Sequence, residues 1–331
     1  MKKALLISAL LLMTGLFNAT WAQLEYFDPI LSETARDGHI IYDRHFALNR
    51  TDLQRMNLKG QIKEIVENHD LRGGLIGGIW SDTIKFNKTG LFTEIVKPKK
   101  DEFNPNRRYN NTTYGYAYKD GDLQNSYKAE DHEMENGTEY RADIISFEHV
   151  GRNQPLKETH KHYVYKNKKY VPDSYQPTSS DWKYTYNIDQ QIVSGTTGDG
   201  SVIVSYNNKG LLTDWEYVGS ELKPTHFTYD ANNLIISISR FELEEEFGEA
   251  NYQITRNQQG DIVKVVHRLY RTNSKGVRMK AQQPLSTETY NVTYTYDSMN
   301  NWTKAIVKMT YRSRTSTFYT ITRSLTYYSA E

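Results

Sequence analysis

Past about position 52 the chain reads as short runs of alternating large and polar residues, broken by clusters of Asn, Asp and Gly. The clearest run is Tyr294 to Val307. Tyr294 and Tyr296 alternate with threonine as a half-buried strand does, Asp297 to Asn301 tolerate turn backbone, and Trp302 to Val307 return as a second strand. The same order recurs loosely: a large residue, three turn residues, Gly or Asn, any residue, then an apolar one. Copies stand at Met56/Gly60/Ile62, Phe86/Gly90/Phe92, Tyr206/Gly210/Leu212, Tyr229/Asn233/Ile235 and Tyr296/Asn300/Trp302. Tyr186/Gln190/Ile192 and Arg256/Gly260/Ile262 each lack one element. An apolar residue usually stands two places earlier (Ile84, Tyr184, Val204, Phe227, Ile254, Tyr294), which puts both side chains on one strand face. The pattern predicts an all-β fold, an antiparallel β-meander of repeated hairpins forming a long twisted or coiled sheet.

Composition agrees. Only 37% of residues are hydrophobic and 26 are tyrosine, so the core is thin. Tyrosine and threonine favour pleated, half-exposed surface over helix, and tyrosine covers apolar area while its hydroxyl stays wet.

Tyr296-Asp297-Ser298-Met299-Asn300-Asn301-Trp302, Tyr229 to Leu234 and Phe86 to Leu91 resemble degenerate tyrosine-aspartate (YD) repeats of RHS-like proteins. Asn57 to Ile65 is similar to the opening of secreted Bacteroidota proteins of uncharacterised function that carry such repeats. The resemblance covers about Asp52 to Thr310, with a gap between roughly 124 and 180. It departs from the family where the Gly-Asn pair becomes Asn-Asn or is lost, and Tyr229 to Leu234 reads as one residue short. It implies a β-repeat fold and no particular activity.

The ends and the irregular middle complete the organisation. Met1-Lys2-Lys3, an apolar run from Ala4 to Phe17 and Thr20-Trp21-Ala22 together read as a signal peptide over 1–22. Residues 23–51 are expected to form an N-terminal cap over the first sheet edge, with a short helix between Asp43 and Met56. The β domain then spans 52–331, with an irregular insertion at about 124–180. Within it Tyr140 to His149 should pair with Thr159 to Tyr165, and Thr315 to Tyr328 could serve as a closing strand. The expected location is outside the cytoplasm: periplasmic, cell-surface or extracellular.

Charge and chemistry narrow the functions. A net charge of +1 gives no global footprint for nucleic acid, and no stretch beyond the signal segment suggests membrane insertion. With no cysteine, thiol chemistry and disulfides are excluded. Leu71 to Trp80 is glycine-rich but lacks the Lys-Ser/Thr ending of a phosphate loop, so a bulged strand is expected. His160 and His162 share a strand face without an adjacent acid or third histidine, and no metal is expected there. Glu242 to Glu249 reads as a solvated hairpin tip. No catalytic, cofactor or metal residue is assigned. Trp182 and Trp215 lie outside the repeat's apolar slot and are the candidates for ligand binding, whereas Trp302 sits in that slot and should be core. The expected function is a non-enzymatic exported binding or scaffold protein of the bacterial envelope, its ligand a glycan or another envelope protein. The alternatives are an envelope carbohydrate hydrolase using carboxylates from separate hairpins, and a toxin-associated accessory protein. Unpaired sheet edges would leave room for a homo-oligomer.

Overall fold

The computed structural model describes residues 51–329 apart from 73–77, 101–107, 121, 135–136, 152–153, 167–168, 173–181, 190–191, 197–200, 219–224, 243–247 and 273–282. The signal segment and most of the expected cap, residues 23–50, lie outside the described residues.

The described residues form one short helix and nineteen strands, every strand pairing antiparallel. Helix α1 (Asp52–Arg55) is followed by β1 (Ile62–Leu71), β2 (Gly78–Phe86), β3 (Phe92–Lys100), β4 (Arg108–Lys119), β5 (Asp122–Met134), β6 (Gly137–Gly151), β7 (Gln154–Lys166), β8 (Lys169–Pro172) and β9 (Trp182–Tyr186). The second half contains β10 (Ile192–Thr196), β11 (Ser201–Tyr206), β12 (Leu212–Val218), β13 (Thr225–Tyr229), β14 (Ile235–Glu242), β15 (Gly248–Arg256), β16 (Ile262–Arg271), β17 (Ser286–Tyr296), β18 (Trp302–Tyr311) and β19 (Arg314–Tyr327). The described residues between 124 and 172 continue the sheet as β5 to β8. The hairpin of β6 and β7 runs in register from Arg141↔Val164 to Gly151↔Gln154.

Neighbouring strands pair in chain order except at two places. β1 pairs with β2 on one side and with the final strand β19 on the other, Ile65 facing both Ile84 and Leu325. β7 pairs with β8 near its end and with β9 near its start, through Lys157↔Lys183 and Glu158↔Trp182. Following the pairings from β1 through β7, β9 and onward therefore leads back to β1. All strands but β8 belong to this circuit. The sheet does not end at its first or last strand as a meander would, because β19 takes the closing role.

Hairpin turns repeat one local solution. At Asn87, Asn207, Asp230, Asn257 and Asp297 the backbone N–H donates to the carbonyl four residues on, and its own carbonyl accepts from the residue three on. At each the side-chain oxygen also accepts from the backbone N–H four residues on, as in Leu91 to Asn87 (3.0 Å) and Asn301 to Asp297 (2.9 Å). The fourth turn residue takes positive φ: Gly90, Gly210, Asn233, Gly260 and Asn300. These are the Gly-or-Asn slots of the repeat, and only such residues accept left-handed backbone cheaply. The Tyr229 turn is not a residue short, since Tyr229↔Ile235 matches Tyr296↔Trp302 in length. Gln190 lies outside the described residues.

The repeat tyrosines clip neighbouring hairpins together. Tyr229 donates to the Leu212 carbonyl (2.7 Å), Tyr294 to the Ile262 carbonyl (2.7 Å) and Tyr296 to Asp261 (2.8 Å). Burial pushes the Tyr229 phenol up to about 12, so these hydroxyls remain donors.

The inner face is packed. One cluster gathers Ile62, Ile65, Ile84, Phe86, Phe92 and Ile95; a second gathers Tyr252, Ile254, Val265, Tyr290, Val307 and Phe318. Helix α1 adds Leu53 and Met56 to the first. Its start is fixed by a capping box between Thr51 and Gln54, and buried Asp52 accepts from the Phe92 N–H (2.6 Å). Beyond the helix, Asn57 donates to the Gln259 carbonyl and Asp261, and Lys59 exchanges bonds with Asn301. Residues 51–61 thus tie together three turns.

The turns yield a paired expectation. Asn233 holds φ +63° and buries a side-chain oxygen with no hydrogen bond, so Asn233→Gly should stabilise by about 0.5–1 kcal/mol. Gly60 holds φ +80°, and Gly60→Ala should cost about 1–2 kcal/mol. Denaturant unfolding of both variants measures this, and equal shifts would show that backbone conformation does not govern the turns.

Candidate functional site

A group of buried charged side chains enters the inner face where β19, β1 and β2 run side by side. Along β1, Ile65, Glu67, His69 and Leu71 share one side of the strand, and all are buried. Register places Glu67 between Asp82 on β2 and Arg323 on β19, all three buried. One row across three strands therefore carries two carboxylates and one guanidinium.

Arg323 Nε donates to Glu67 Oε1 at 2.5 Å, and its guanidinium lies 3.2 Å from the centre of the Trp302 ring. Trp302 is thus a wall of this cluster and packs against the core. His69 stacks on Trp80 at 4.7 Å, and its Nδ1 is hydrogen-bonded to the Tyr319 hydroxyl. Its Nε2 stands 3.5 Å from Glu67 and 3.4 Å from Asp82. Burial alone would raise the Glu67 carboxyl, but the Arg323 guanidinium, with His69 beside it, holds it below its ordinary value. The ligand atoms of Glu67, His69 and Asp82 lie within 4.8 Å of one another, a set chemically able to hold a metal.

A second feature lies on the outer face. Register aligns Lys85, Glu94, Gly115, Tyr127, Ile144 and Lys161 across β2 to β7. A Cβ on Gly115 would meet the Tyr127 ring at 2.0 Å, so the Tyr127 side chain passes directly over the glycine, with the residue 42% exposed. At one end of the row Lys85 donates to Glu94 (2.6 Å), a bond that raises the lysine above its usual range. In the adjacent row Ala129 and Ala142 lie beside Tyr163.

The sequence-derived candidates are dispersed. Trp182 opens β9 opposite Glu158, and Trp215 lies in β12 opposite Val204 and Thr225, with β10 and β11 between them. His162 is paired with Asp143 across β6 and β7 (2.6 Å). Residues 243–247 of the acidic run, and 73–77 of the glycine-rich stretch, lie outside the described residues; the first joins β14 to β15 and the second β1 to β2. Sequence reading missed Glu67, His69, Asp82 and Tyr127. The available signal for the first two was charge in the apolar register of β1.

No family model matches the chain, and no curated protein aligns with it. Among solved structures, a porin-like protein from Bacteroides uniformis is similar at 10% identity and TM-score 0.39, covering 80% of this chain and 98% of that one. A porin-like protein from Bacteroides vulgatus gives 8% identity and TM-score 0.26 over 82% and 99%. The Photorhabdus luminescens Tc holotoxin pore gives 9% and 0.26 over 74% of this chain and 20% of that one. Likenesses this faint leave fold and function to be read from the chain itself.

Breaking the buried ion pair should be costly. Glu67→Gln leaves Arg323 charged and uncompensated, a loss of about 3–5 kcal/mol, while Glu67→Gln with Arg323→Met should recover much of it. Because the native Glu67 value is depressed, its stabilisation is complete above the ordinary value of 4.5 and is lost as pH falls below it through the depressed one. Unfolding measured between pH 7 and 3 should show a shallower acid limb in the double variant; an unchanged limb would rule out this pair as its source.

Proposed function

We propose that this chain is an exported, non-enzymatic binding protein of the bacterial envelope that holds a glycan on its outer sheet face. The Tyr127 side chain seated over Gly115 carries the reading. The residue is 42% exposed above a position with no side chain, and an exposed tyrosine ring stacks on the apolar face of a sugar. Glu94 and Lys85, two and three strands away in the same row, supply charged hydrogen-bonding groups for hydroxyls, and the small floor of Ala129 and Ala142 leaves the surface shallow.

The outer face favours a watery setting. Lys63, Asn68, Lys264, Asn291, Lys304 and Lys308 are exposed, each next to at least one buried strand neighbour, the reverse of the apolar outer band of a membrane-spanning barrel. The signal-like start supports export, and the shared hairpin geometry is in keeping with the YD-repeat likeness. A hydrolase would need two carboxylates about 5–10 Å apart in an open cleft. Glu67 and Asp82 converge, but both are buried, which favours binding over catalysis.

The test is retention of envelope extract on the immobilised chain, with and without protease treatment of the extract. Retention should survive the protease and fall at least tenfold in Tyr127→Ala, whose circular dichroism should be unchanged. Retention abolished by the protease would replace the glycan with a protein partner, and an unaffected Tyr127→Ala would discard the tyrosine as the stacking site.

A further inference from the structure

Glu67 and Asp82 are directly opposed on β1 and β2, a placement that is unfavourable for two like charges even at a surface and more so when both are buried. Arg323 donates through its Nε to Glu67. Asp82 Oδ1 is buried without a hydrogen bond, and His69 Nε2, equally buried, makes none although it stands close to a carboxylate on each side. Three ligand-type atoms thus surround one point, and two of the residues have unused capacity.

We propose that Glu67, His69 and Asp82 form a structural binding site for a first-row divalent cation of the zinc class. The spacing suits it. Bonds of about 2.0–2.1 Å at tetrahedral angles put ligand atoms roughly 3.3–3.4 Å apart, and His69 Nε2 lies 3.5 Å from Glu67 Oε2 and 3.4 Å from Asp82 Oδ2. The histidine also has its supporting partner. A metal-binding imidazole donates from its other nitrogen, and Nδ1 faces the Tyr319 hydroxyl while Trp80 fixes the ring plane. Mixed imidazole and carboxylate ligands favour zinc-class ions over calcium or magnesium, which prefer all-oxygen shells. Arg323 keeps Glu67 Oε1 engaged and leaves Oε2 for the ion. The fourth position falls to Asp82 Oδ1 or to water. The bound ion would cross-link β1 to β2 inside the wall, with no part in the outer-face binding proposed above.

Cobalt(II) and zinc are the probes. The full chain, unfolded and refolded after chelator treatment, is titrated with cobalt(II) and then zinc. The expected result is one equivalent of cobalt with the visible absorption of a tetrahedral ion, displaced by zinc. Zinc at a hundredfold excess over its Kd should raise the unfolding midpoint by roughly 5 °C. Asp82→Asn, nearly isosteric, should weaken binding at least tenfold, whereas His162→Gln, at the part-buried pair with Asp143 across β6 and β7, should leave it intact. A featureless or octahedral cobalt spectrum from the unmodified chain would overturn the site without reference to any variant. Tetrahedral binding that persists in Asp82→Asn or vanishes in His162→Gln would also overturn it by placing the ion elsewhere.

Discussion

Everything in this chain depends on β1 having two partners. A strand that paired only with β2 would leave one side of β1 and one side of β19 as free edges, with their backbone donors and acceptors open to other chains. The pairing of β1 with β19 converts a linear row of hairpins into a circuit, and makes the inner face an inside. The other junction is slighter: β7 and β9 share two residue pairs.

Packing follows from that closure. Two apolar clusters fill the inner face, and the ionic row lies where β19, β1 and β2 run side by side. Arg323 reaches Glu67 only because the last strand lies against the first, so the buried charges are partners solely in the closed form. Buried ion pairs add little net stability but penalise wrong pairings heavily. A register slip of one residue between β1 and β19 would turn Arg323 away from Glu67 and strand a carboxylate among isoleucines. The ionic row acts as a register pin.

Much of the hairpin architecture was legible, because turn chemistry is local. Gly90, Asn233 and Asn300 announce left-handed backbone within a few residues, and the turns form at those slots. The partnership of Glu67, Asp82 and Arg323 was not legible, since no periodicity reveals which distant strands will lie side by side. The place of Tyr127 was hidden for the same reason: its meaning rests on the opposing Gly115 across a register. Trp182 and Trp215 were chosen for standing outside a pattern, and β10 and β11 separate their strands.

The wiring also dictates an order of events. Ile65 must wait for Leu325 at nearly the far end of the chain before its second flank is covered, and contacts so distant in sequence form slowly. Every hairpin from β2 to β18 can be made while the ring is still open and its greasy side wet. The strand β19 is the one that seals the circuit. Until it is in place the inner face stays exposed beside two open strand edges, so loss of that single strand would turn a well-formed set of hairpins into an aggregation-prone one.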